Sequence, residues 1–309
     1  EEEKGVYRFK GKFLPMKGMN EYSIAKVTKK KVQKMIDMNF DVIHCHTEFT
    51  MGRLGRKVAR KNNIPIIHTY HTMYDDYLHF ISKTLIKPLK WVSKYYFRSF
   101  ANSASEVVFP TIKVKKTFDE YGYNKPFHII PTGIYLDQFR KINYKEKDNN
   151  RLKKTLGIKN DEMVLLFLGR ISVEKNIETL IISYSKLIEK YSNTKLVIAG
   201  GGPDAEKFKK LTVQLGIEDH VVFTGMIPPK EVGYYYQIGD LFVNFSVTET
   251  QGLTYIEALA SGLPLLVRWD DNLEDVLKED INGVSFNNDD EFINAYERLT
   301  SNQVKFQKI

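Results

Sequence analysis

The feature that most constrains the fold is a rhythm in the second half of the chain, where short apolar runs alternate with segments of helical periodicity. Residues 163–168 (MVLLFL) are apolar throughout, which is typical of a strand buried on both faces of a sheet. Apolar residues at helical spacing follow from Ile177 to Tyr191, and further strand and helix patterns continue to about residue 260. This alternation predicts an α/β fold with a doubly wound parallel sheet.

The first half of the chain repeats this rhythm. Its strand-like segments are residues 5–9, 41–46, 64–71, 106–110 and 127–131. A chain of 309 residues is longer than one typical domain. We therefore predict two Rossmann-like domains, residues 1–140 and 141–309, which face a cleft and bind ligands at the carboxyl ends of their strands.

The charge is distributed unevenly between the two halves. Residues 1–150 hold 28 lysines and arginines against 15 acidic residues, whereas residues 151–309 hold 18 against 23. A basic half indicates an anionic partner, and nucleic acid and an anionic membrane surface are the two candidates. A lysine-rich surface that only faces solvent explains the count equally well.

The compartment follows from cysteine content and hydropathy. Cys45 is the single cysteine, so no internal disulfide is possible, which suits a reducing compartment. The apolar runs are too short to span a bilayer as helices, and the acidic start EEEKGVYRFK does not resemble a signal peptide. We expect a cytoplasmic protein.

A loop at residues 169–176 (GRISVEKN) follows the buried strand and leads into a helix. Gly169 lets the chain leave the sheet tightly, and Arg170 and Lys175 place two cations beside the helix start. A guanidinium fork, an ammonium and unpaired helix N–H groups together suit a diphosphate. The alternative is that both cations face solvent.

A second loop-to-helix junction, residues 249–257 (ETQGLTYIE), places two carboxylates around a glycine. Gly252 permits close approach of the backbone, and the N–H groups of Gly252 and Leu253 would point out of the new helix. Glu249 and Glu257 can each accept hydrogen bonds from sugar hydroxyls. The pattern indicates a site for a sugar attached to a phosphate, although an ordinary amphipathic helix remains an alternative.

These motifs carry a family resemblance. The E-x7-E pair, the GR…EKN loop, the AGGGP turn that contains Gly201, and the PTGI segment at 131–134 resemble the retaining glycosyltransferases of family four, which have the GT-B fold. The resemblance implies hexose transfer from a nucleotide sugar, with retention at the anomeric carbon and without a metal or other cofactor. It assigns Arg170 and Lys175 to the diphosphate.

The resemblance also assigns the remaining donor residues. Glu249 and the backbone of Gly252 and Leu253 engage the sugar and phosphate, and Glu257 holds the ribose. The loops near Gly201 and Gly225 hold the contacts that select base and hexose. Since no Asp-x-Asp pair is present, the cations and the helix terminus would neutralise the leaving diphosphate. No carboxylate stands out as a nucleophile, which favours internal return assisted by the departing phosphate.

Histidines cluster in HCHTEF and HTYHTMYDDYLHF: His44 and His46 share one face of a predicted strand, and His68 and His71 lie at the end of the next. No cysteine or carboxylate pattern completes a zinc set, so we expect no metal. The resemblance places His46 and His71 in the acceptor and sugar pocket as catalytic candidates, with Glu48 as a weaker one. We expect His44 and His68 to satisfy buried hydrogen bonds.

Residues 83–100 (KTLIKPLKWVSKYYFRSF) predict a basic amphipathic helix, with Pro88 marking a kink or a helix start. Such a helix lies on anionic lipid surfaces, although a core-facing helix with a solvated basic side has the same pattern. The candidate membrane-binding residues are Lys83, Lys87, Lys90, Trp91, Lys94 and Arg98.

The histidine segments and this helix together resemble the diacylglycerol glucosyltransferases, peripheral membrane enzymes that use UDP-glucose. The resemblance implies a lipid acceptor such as 1,2-diacylglycerol at the inner face of the cell membrane. Another acceptor (phosphatidylinositol, a glycolipid, a soluble sugar or a protein) and a non-catalytic sugar-nucleotide-binding protein remain alternatives. Nucleic-acid binding is not expected, because no recognition module is present.

The two ends of the chain depart from the family pattern. Family members usually begin with a strand and a glycine-containing loop that meets the donor, and they end with a helix that crosses back to the first domain. This sequence starts at what resembles an inner strand and stops before that helix. We expect donor binding by the second half to survive this difference.

Overall fold

The computed structural model describes residues 5–13, 23–75, 78 and 85–301. Two compact units divide between Thr132 and Gly133, close to the predicted division after residue 140. Unit 1 is the part before this division and unit 2 the part after it.

Unit 1 contains a parallel sheet of four strands, β3 (Ile43–Cys45), β4 (Ile66–Thr69), β5 (Glu106–Phe109) and β6 (His128–Ile129), in that order. A separate antiparallel pair consists of β1 (Gly11–Phe13) and β2 (Ser23–Ala25). The four later strands predicted for this half are therefore confirmed.

The strand predicted at residues 5–9 is wrong. This segment forms no strand, and Val6 and Tyr7 are 45% and 52% exposed. An apolar pair that no neighbouring strand covers has no sheet to join, and the first strand of the unit starts only at Gly11.

Four helices cover the parallel sheet of unit 1: α1 (Lys29–Asp37), α2 (Thr50–Asn62), α3 (Ile86–Asn102) and α4 (Ile112–Glu120). The Thr28 side chain accepts a hydrogen bond from the Lys31 N–H and so caps α1. Tyr70, Phe97 and Phe118 form an aromatic core between α3, α4 and the sheet.

The sheet of unit 2 has six parallel strands in the order β12-β11-β10-β7-β8-β9. The strands are β7 (Met163–Leu168), β8 (Thr194–Ala199), β9 (Val221–Phe223), β10 (Leu241–Asn244), β11 (Leu265–Arg268) and β12 (Gly283–Phe286). The continuous apolar run at 163–168 lies at the centre of this sheet, as its pattern predicted.

Helices cover both faces of that sheet, so the doubly wound fold is confirmed for unit 2. They are α5 (Glu146–Thr155), α6 (Ile177–Lys190), α7 (Ala205–Gln214), α8 (Val232–Ile238), α9 (Leu253–Ala260) and α10 (Phe292–Ser301). One core contains residues of α6, α7 and α10, and the other contains residues of α8 and α9. No helix in the described part of the chain is long and apolar enough to cross a membrane.

Candidate active site

The predicted donor residues lie at the carboxyl edge of the unit 2 sheet, where β10, β7 and β8 are neighbours. The backbone of the turn after β7 is in direct contact there with the backbone of the turn after β8. Gly200 has a φ of +133°, and a Cβ on it would lie 2.1 Å from the carbonyl oxygen of Gly169. The Ile171 N–H donates to the Gly201 carbonyl at 2.9 Å. Glycine is therefore required where these turns touch.

The loop that carries Lys175 is hydrogen-bonded to the segment after β10. Asn176 adopts the left-handed conformation (φ 53°), and its side-chain amide donates to the Phe245 carbonyl at 3.1 Å. The Thr248 hydroxyl donates to the Glu174 carbonyl at 3.2 Å. These bonds bring two loops of distant sequence to one place.

Lys175 and Glu249 form an ion pair at this place. Lys175 Nζ lies 2.7 Å from Glu249 Oε1, and the two side chains are 14% and 18% exposed. The pair is desolvated enough to be stronger than a surface salt bridge, yet it is still reachable by a ligand. An ammonium and a carboxylate side by side can bind the phosphate and the hydroxyls of one sugar phosphate.

Helix α9 starts at the same edge of the sheet. Gly252 precedes it with a φ of 68°, and a Cβ on Gly252 would come within 2.4 Å of the Tyr255 ring. No side chain of the described residues caps this helix, and its first turn contains no acidic residue. The first N–H groups of α9 therefore form a place for an anion.

Glu257 lies one turn further along α9 and is oriented by a tyrosine of α8. The buried Tyr236 hydroxyl donates to Glu257 Oε2 at 2.7 Å. Burial raises the pKa of Glu257, and the hydrogen bond from Tyr236 acts in the opposite direction. Sequence reasoning missed Tyr236, since nothing in the sequence of α8 links it to a residue 21 positions later.

Three histidines lie together in unit 1, at the carboxyl edge of its parallel sheet. His46 Nδ1 and His71 Nε2 are 2.8 Å apart and share a hydrogen bond, and the His44 ring centroid lies 4.1 Å from that of His46. Burial and the neighbouring His46 lower the pKa of His71. The two catalytic candidates of the sequence are therefore brought together, and each can hold or pass one proton.

The expectation for His44 is only partly correct. Its Nε2 is hydrogen-bonded to the Thr69 hydroxyl at 2.7 Å, but the residue is exposed rather than buried. Successive side chains of a strand face opposite sides of a sheet, so His44 points away from the side on which its neighbour Cys45 is buried.

Beneath the histidine pair, His68 and Glu48 form a buried pair, both 1% exposed. His68 Nε2 lies 3.0 Å from Glu48 Oε1, and His68 Nδ1 lies 3.1 Å from the Cys45 carbonyl. The Cys45 carbonyl is the hydrogen-bond partner of the ring, whereas Glu48 lies close to Nε2 without the geometry of a hydrogen bond. The buried hydrogen bond expected for His68 is confirmed. The sequence signal for Glu48 is an acid two residues after His-x-His at a strand end.

The predicted basic helix is α3, and its start at Ile86 places Pro88 in the first turn, which confirms the helix-start alternative. Trp91 and Tyr95 are 72% and 61% exposed. Lys87 and Lys90 are also exposed, whereas Lys94 and Arg98 are half-buried. Lys83 lies outside the described residues.

Among the described residues, no cluster of three histidine, cysteine, aspartate or glutamate side chains has the arrangement of a metal site. The donor candidates lie together in unit 2 and the histidines lie together in unit 1. The roles that the sequence assigns to these residues stay predictions.

Matches to known protein families together cover nearly the whole chain. A family model described as "Glycosyl transferases group 1" matches residues 148–309. Another, "Glycosyltransferase Family 4", matches residues 1–138. Both matches agree with the two units of the structure.

Two curated relatives carry the same name, alpha-monoglucosyldiacylglycerol synthase. The protein of Acholeplasma laidlawii is 37% identical over 297 residues, which are 95% of this chain and 75% of that protein. The protein of Streptococcus pneumoniae is 40% identical over 247 residues, which are 80% of this chain and 56% of that protein. This chain therefore spans only part of either relative.

Solved structures of similar fold are more distant in sequence. Anabaena HepE, in complex with UDP and glucose, superposes with a TM-score of 0.73 at 17% identity, over 90% of this chain and 76% of HepE. A glycosyltransferase of Rickettsia africae gives a TM-score of 0.73 at 19% identity, over 91% of this chain and 73% of that one. These likenesses establish the fold, and with the family matches they show that the chain is a hexosyltransferase enzyme that belongs to glycosyltransferase family four, with the GT-B fold.

Proposed function

We propose that this enzyme transfers glucose from UDP-glucose to the hydroxyl of diacylglycerol, at the surface of a membrane and with retention of the anomeric configuration. The observation that carries the proposal is the Lys175–Glu249 ion pair beside the uncapped start of α9. This arrangement offers a cation and free N–H groups to a diphosphate and a carboxylate to a sugar, within one small region.

The diphosphate of the donor carries two negative charges, and breaking its bond to the sugar adds another that the protein must stabilise. Arg170, Lys175 and the N–H groups of Gly252 and Leu253 supply positive charge and hydrogen-bond donors at the sheet edge. Such preorganised groups stabilise the charge that develops in the transition state. We propose that they serve this purpose without a metal.

In the proposed reaction, the bond between the anomeric carbon of glucose and the β-phosphate oxygen breaks, and a bond to the acceptor oxygen forms on the same face of the sugar. The acceptor hydroxyl gives its proton to the departing phosphate, so that UDP and a glucosyl lipid are the products. Glu249 binds sugar hydroxyls, and Glu257, oriented by Tyr236, binds the two ribose hydroxyls.

The histidine pair of unit 1 is proposed to serve the acceptor and the sugar. His46 and His71 already share a proton through their 2.8 Å hydrogen bond, so either ring can donate to an oxygen while the other accepts. The buried Glu48–His68 pair supports the strand ends that carry them.

Diacylglycerol resides in a membrane, and α3 has the surface that membrane contact needs. Its exposed lysines attract anionic headgroups, and Trp91 and Tyr95 are the amphipathic rings that favour the interface. The names of the two curated relatives support a diacylglycerol acceptor, and the HepE complex supports UDP-glucose as donor. We propose the inner face of the cell membrane as the location, with nucleotide sugar, lipid and anionic surface as partners and no nucleic acid.

The test is a panel of radiolabelled UDP-, GDP- and ADP-hexoses, each offered to vesicles with diacylglycerol, vesicles with phosphatidylinositol, and soluble sugars. We expect a labelled lipid only from UDP-glucose with diacylglycerol, formed equally well with a metal chelator present, and an α-anomer in its proton NMR spectrum. Glu249→Ala and Arg170→Ala should abolish it. Transfer only to a soluble sugar, or unchanged turnover in both variants, would overturn the proposal.

A further inference from the structure

A buried asparagine next to the proposed donor site makes no side-chain hydrogen bond within the described residues. Asn272 follows β11, in a short 3-10 turn (Asp271–Leu273), and is 4% exposed. Within the described residues, neither its amide nitrogen nor its amide oxygen has a hydrogen-bond partner. Native proteins rarely leave both ends of a buried amide unsatisfied, because each loses its hydrogen bonds to water without replacement.

The position of this amide links it to the start of α9. A Cβ added to Gly252 would lie 3.2 Å from Asn272 Nδ2, so the amide packs directly against the left-handed turn. The same Cβ would meet the ring of Tyr255, whose fully buried hydroxyl likewise has no partner among the described residues. Two unsatisfied polar side chains therefore lie under one turn.

Two other asparagines of unit 2 make hydrogen bonds within the fold. Asn282 Oδ1 accepts from the Lys278 N–H at 2.8 Å, and Asn282 Nδ2 donates to the Val276 carbonyl at 2.9 Å. Asn244 Oδ1 accepts from the Ser246 N–H at 2.8 Å. Asn272 differs from these two in that both polar atoms of its amide lack a partner among the described residues, and it lies at the α9 start, where the donor is proposed to bind.

We propose that Asn272 is a positioning residue for the nucleotide-sugar donor: binding rearranges the turn at residues 249–253, and the Asn272 amide then gains hydrogen bonds to the backbone of that turn. The inference rests on the proposed function. Because both amide atoms are enclosed, Asn272 acts through the turn rather than on the ligand. Its new bonds hold the N–H groups of Gly252 and Leu253 on the diphosphate and sugar.

From this role we expect Asn272→Leu to have two effects that rarely occur together, a higher unfolding temperature and a higher KM for UDP-glucose. Leucine has the same number and branching of side-chain heavy atoms as asparagine but no polar ones, so the unliganded protein no longer buries unsatisfied groups and should unfold at a higher temperature. The bound turn loses the bonds that asparagine would make, so the KM for UDP-glucose should rise about tenfold while kcat changes less than about threefold. A residue that is merely structural cannot give a more stable protein with weaker donor binding.

The matched control is Asn282→Leu. It removes two existing hydrogen bonds far along the chain from the turn, so it should lower the unfolding temperature and leave the KM for UDP-glucose unchanged. A lower unfolding temperature for Asn272→Leu with an unchanged KM would overturn the inference, as that is the result for an ordinary core asparagine.

A measurement on the unaltered protein covers the case in which Asn272→Leu does not fold. With 15N-labelled asparagine, the side-chain amide signals of Asn272, assigned by their loss in Asn272→Asp, should shift downfield on saturation with UDP-glucose, since new hydrogen bonds form. Unmoved signals in a protein that binds UDP-glucose would reject the inference alone. A protein that binds no nucleotide sugar would instead reject the proposed function.

Discussion

Lys175 and Glu249, 74 residues apart in the chain, form a 2.7 Å ion pair at the carboxyl edge of the unit 2 sheet. Each side chain is the partner of the other in the unliganded protein, and in the proposed function each has a separate partner on a sugar diphosphate. A donor that inserts here exchanges one ion pair for two sets of contacts. The pair thus keeps both groups ordered and charged before the donor arrives.

Lys175→Met should therefore weaken the binding of UDP and slow the reaction. The variant removes the ammonium but leaves the Glu249 carboxylate, which then repels the diphosphate. We expect turnover to fall by about two to three orders of magnitude, the effect of losing one charge-stabilising group. Steady-state release of UDP measures this. Lys207→Met is the matched control, because it removes a lysine from an ion pair with Glu178 on the surface and should leave turnover unchanged.

Tyr236→Phe should make donor binding more sensitive to acid. In the proposed function Glu257 binds ribose hydroxyls as a carboxylate, and the pKa of Glu257 is already raised by burial. Without the Tyr236 hydroxyl the pKa of Glu257 rises further, so donor affinity is lost at a higher pH as the solution is acidified. A pH series of the KM for UDP-glucose should show this shift, with a rise of roughly tenfold at neutral pH for a hydrogen bond to a charged group.

The neighbouring Tyr235→Phe serves as control for that series, because the pKa of Tyr235 is raised by burial and by Glu231, whereas Glu257 acts on Tyr236. Its pH profile should match that of the unaltered enzyme. Identical profiles for both variants would mean that Tyr236 does not govern Glu257.

Lowering the pH should reduce the stability of unit 1 around the histidines. The pKa of His71 is lowered in the folded protein by burial and by His46, and the pKa of His44 is lowered by burial and by His46 as well. A lowered histidine pKa means that the unfolded chain binds protons more readily, so stability present above the unfolded pKa of about 6.5 is lost as the pH falls below it. Hydrogen exchange of β3 and β4 should accelerate relative to β8 between pH 7.5 and 5.5.

His71→Asn should reduce this acid effect, since it removes one of the titrating rings, whereas His128→Asn should not. His128 lies on the surface beside Glu106 and far from the pair in the sheet. An acid response that is the same in both variants would place its origin elsewhere.

Replacing Lys87, Lys90 and Lys94 with alanine should weaken binding to anionic vesicles. Each cation near such a surface contributes about 1 kcal/mol, so the loss should approach a hundredfold in the partition coefficient. The chain has two tryptophans, Trp91 on α3 and Trp269 in unit 2, so a Trp269→Phe background makes Trp91 the sole fluorescent reporter. Its emission should shift to the blue on vesicles, and less so after the lysines are replaced.

An equal change of charge elsewhere provides the control for vesicle binding. Lys147, Lys154 and Lys159 are exposed lysines of unit 2, and their replacement with alanine should leave binding nearly intact. Equal losses for both triple variants would indicate attraction by net charge rather than by α3.

The alternation of strands and helices could be predicted because strands buried on both faces are apolar throughout, and β7 is the clearest example. The meeting of Lys175 with Glu249 could also be anticipated, because parallel strands end at the same edge. The segment at 5–9 misled the prediction, since an apolar pair such as Val6 and Tyr7 has strand character whether or not a partner strand exists.

The finer parts of the site depend on contacts that no local pattern encodes. The hydrogen bond from Tyr236 to Glu257 joins two helices, and the enclosure of Asn272 arises from packing against Gly252. Similarly, the exposure of His44 depends on which face of β3 the rest of the fold covers, whereas its sequence neighbours suggested burial. Such tertiary relationships become visible only in the folded chain.

Calorimetric titration of UDP and of UDP-glucose into the unaltered protein and into Glu249→Gln tests the central claim most directly. The account predicts that both ligands bind the unaltered protein, and that Glu249→Gln binds UDP at least as tightly, because Lys175 is released from its partner, but binds UDP-glucose about tenfold more weakly. Equal affinities of the two proteins for UDP-glucose, or no heat with either ligand, would contradict it.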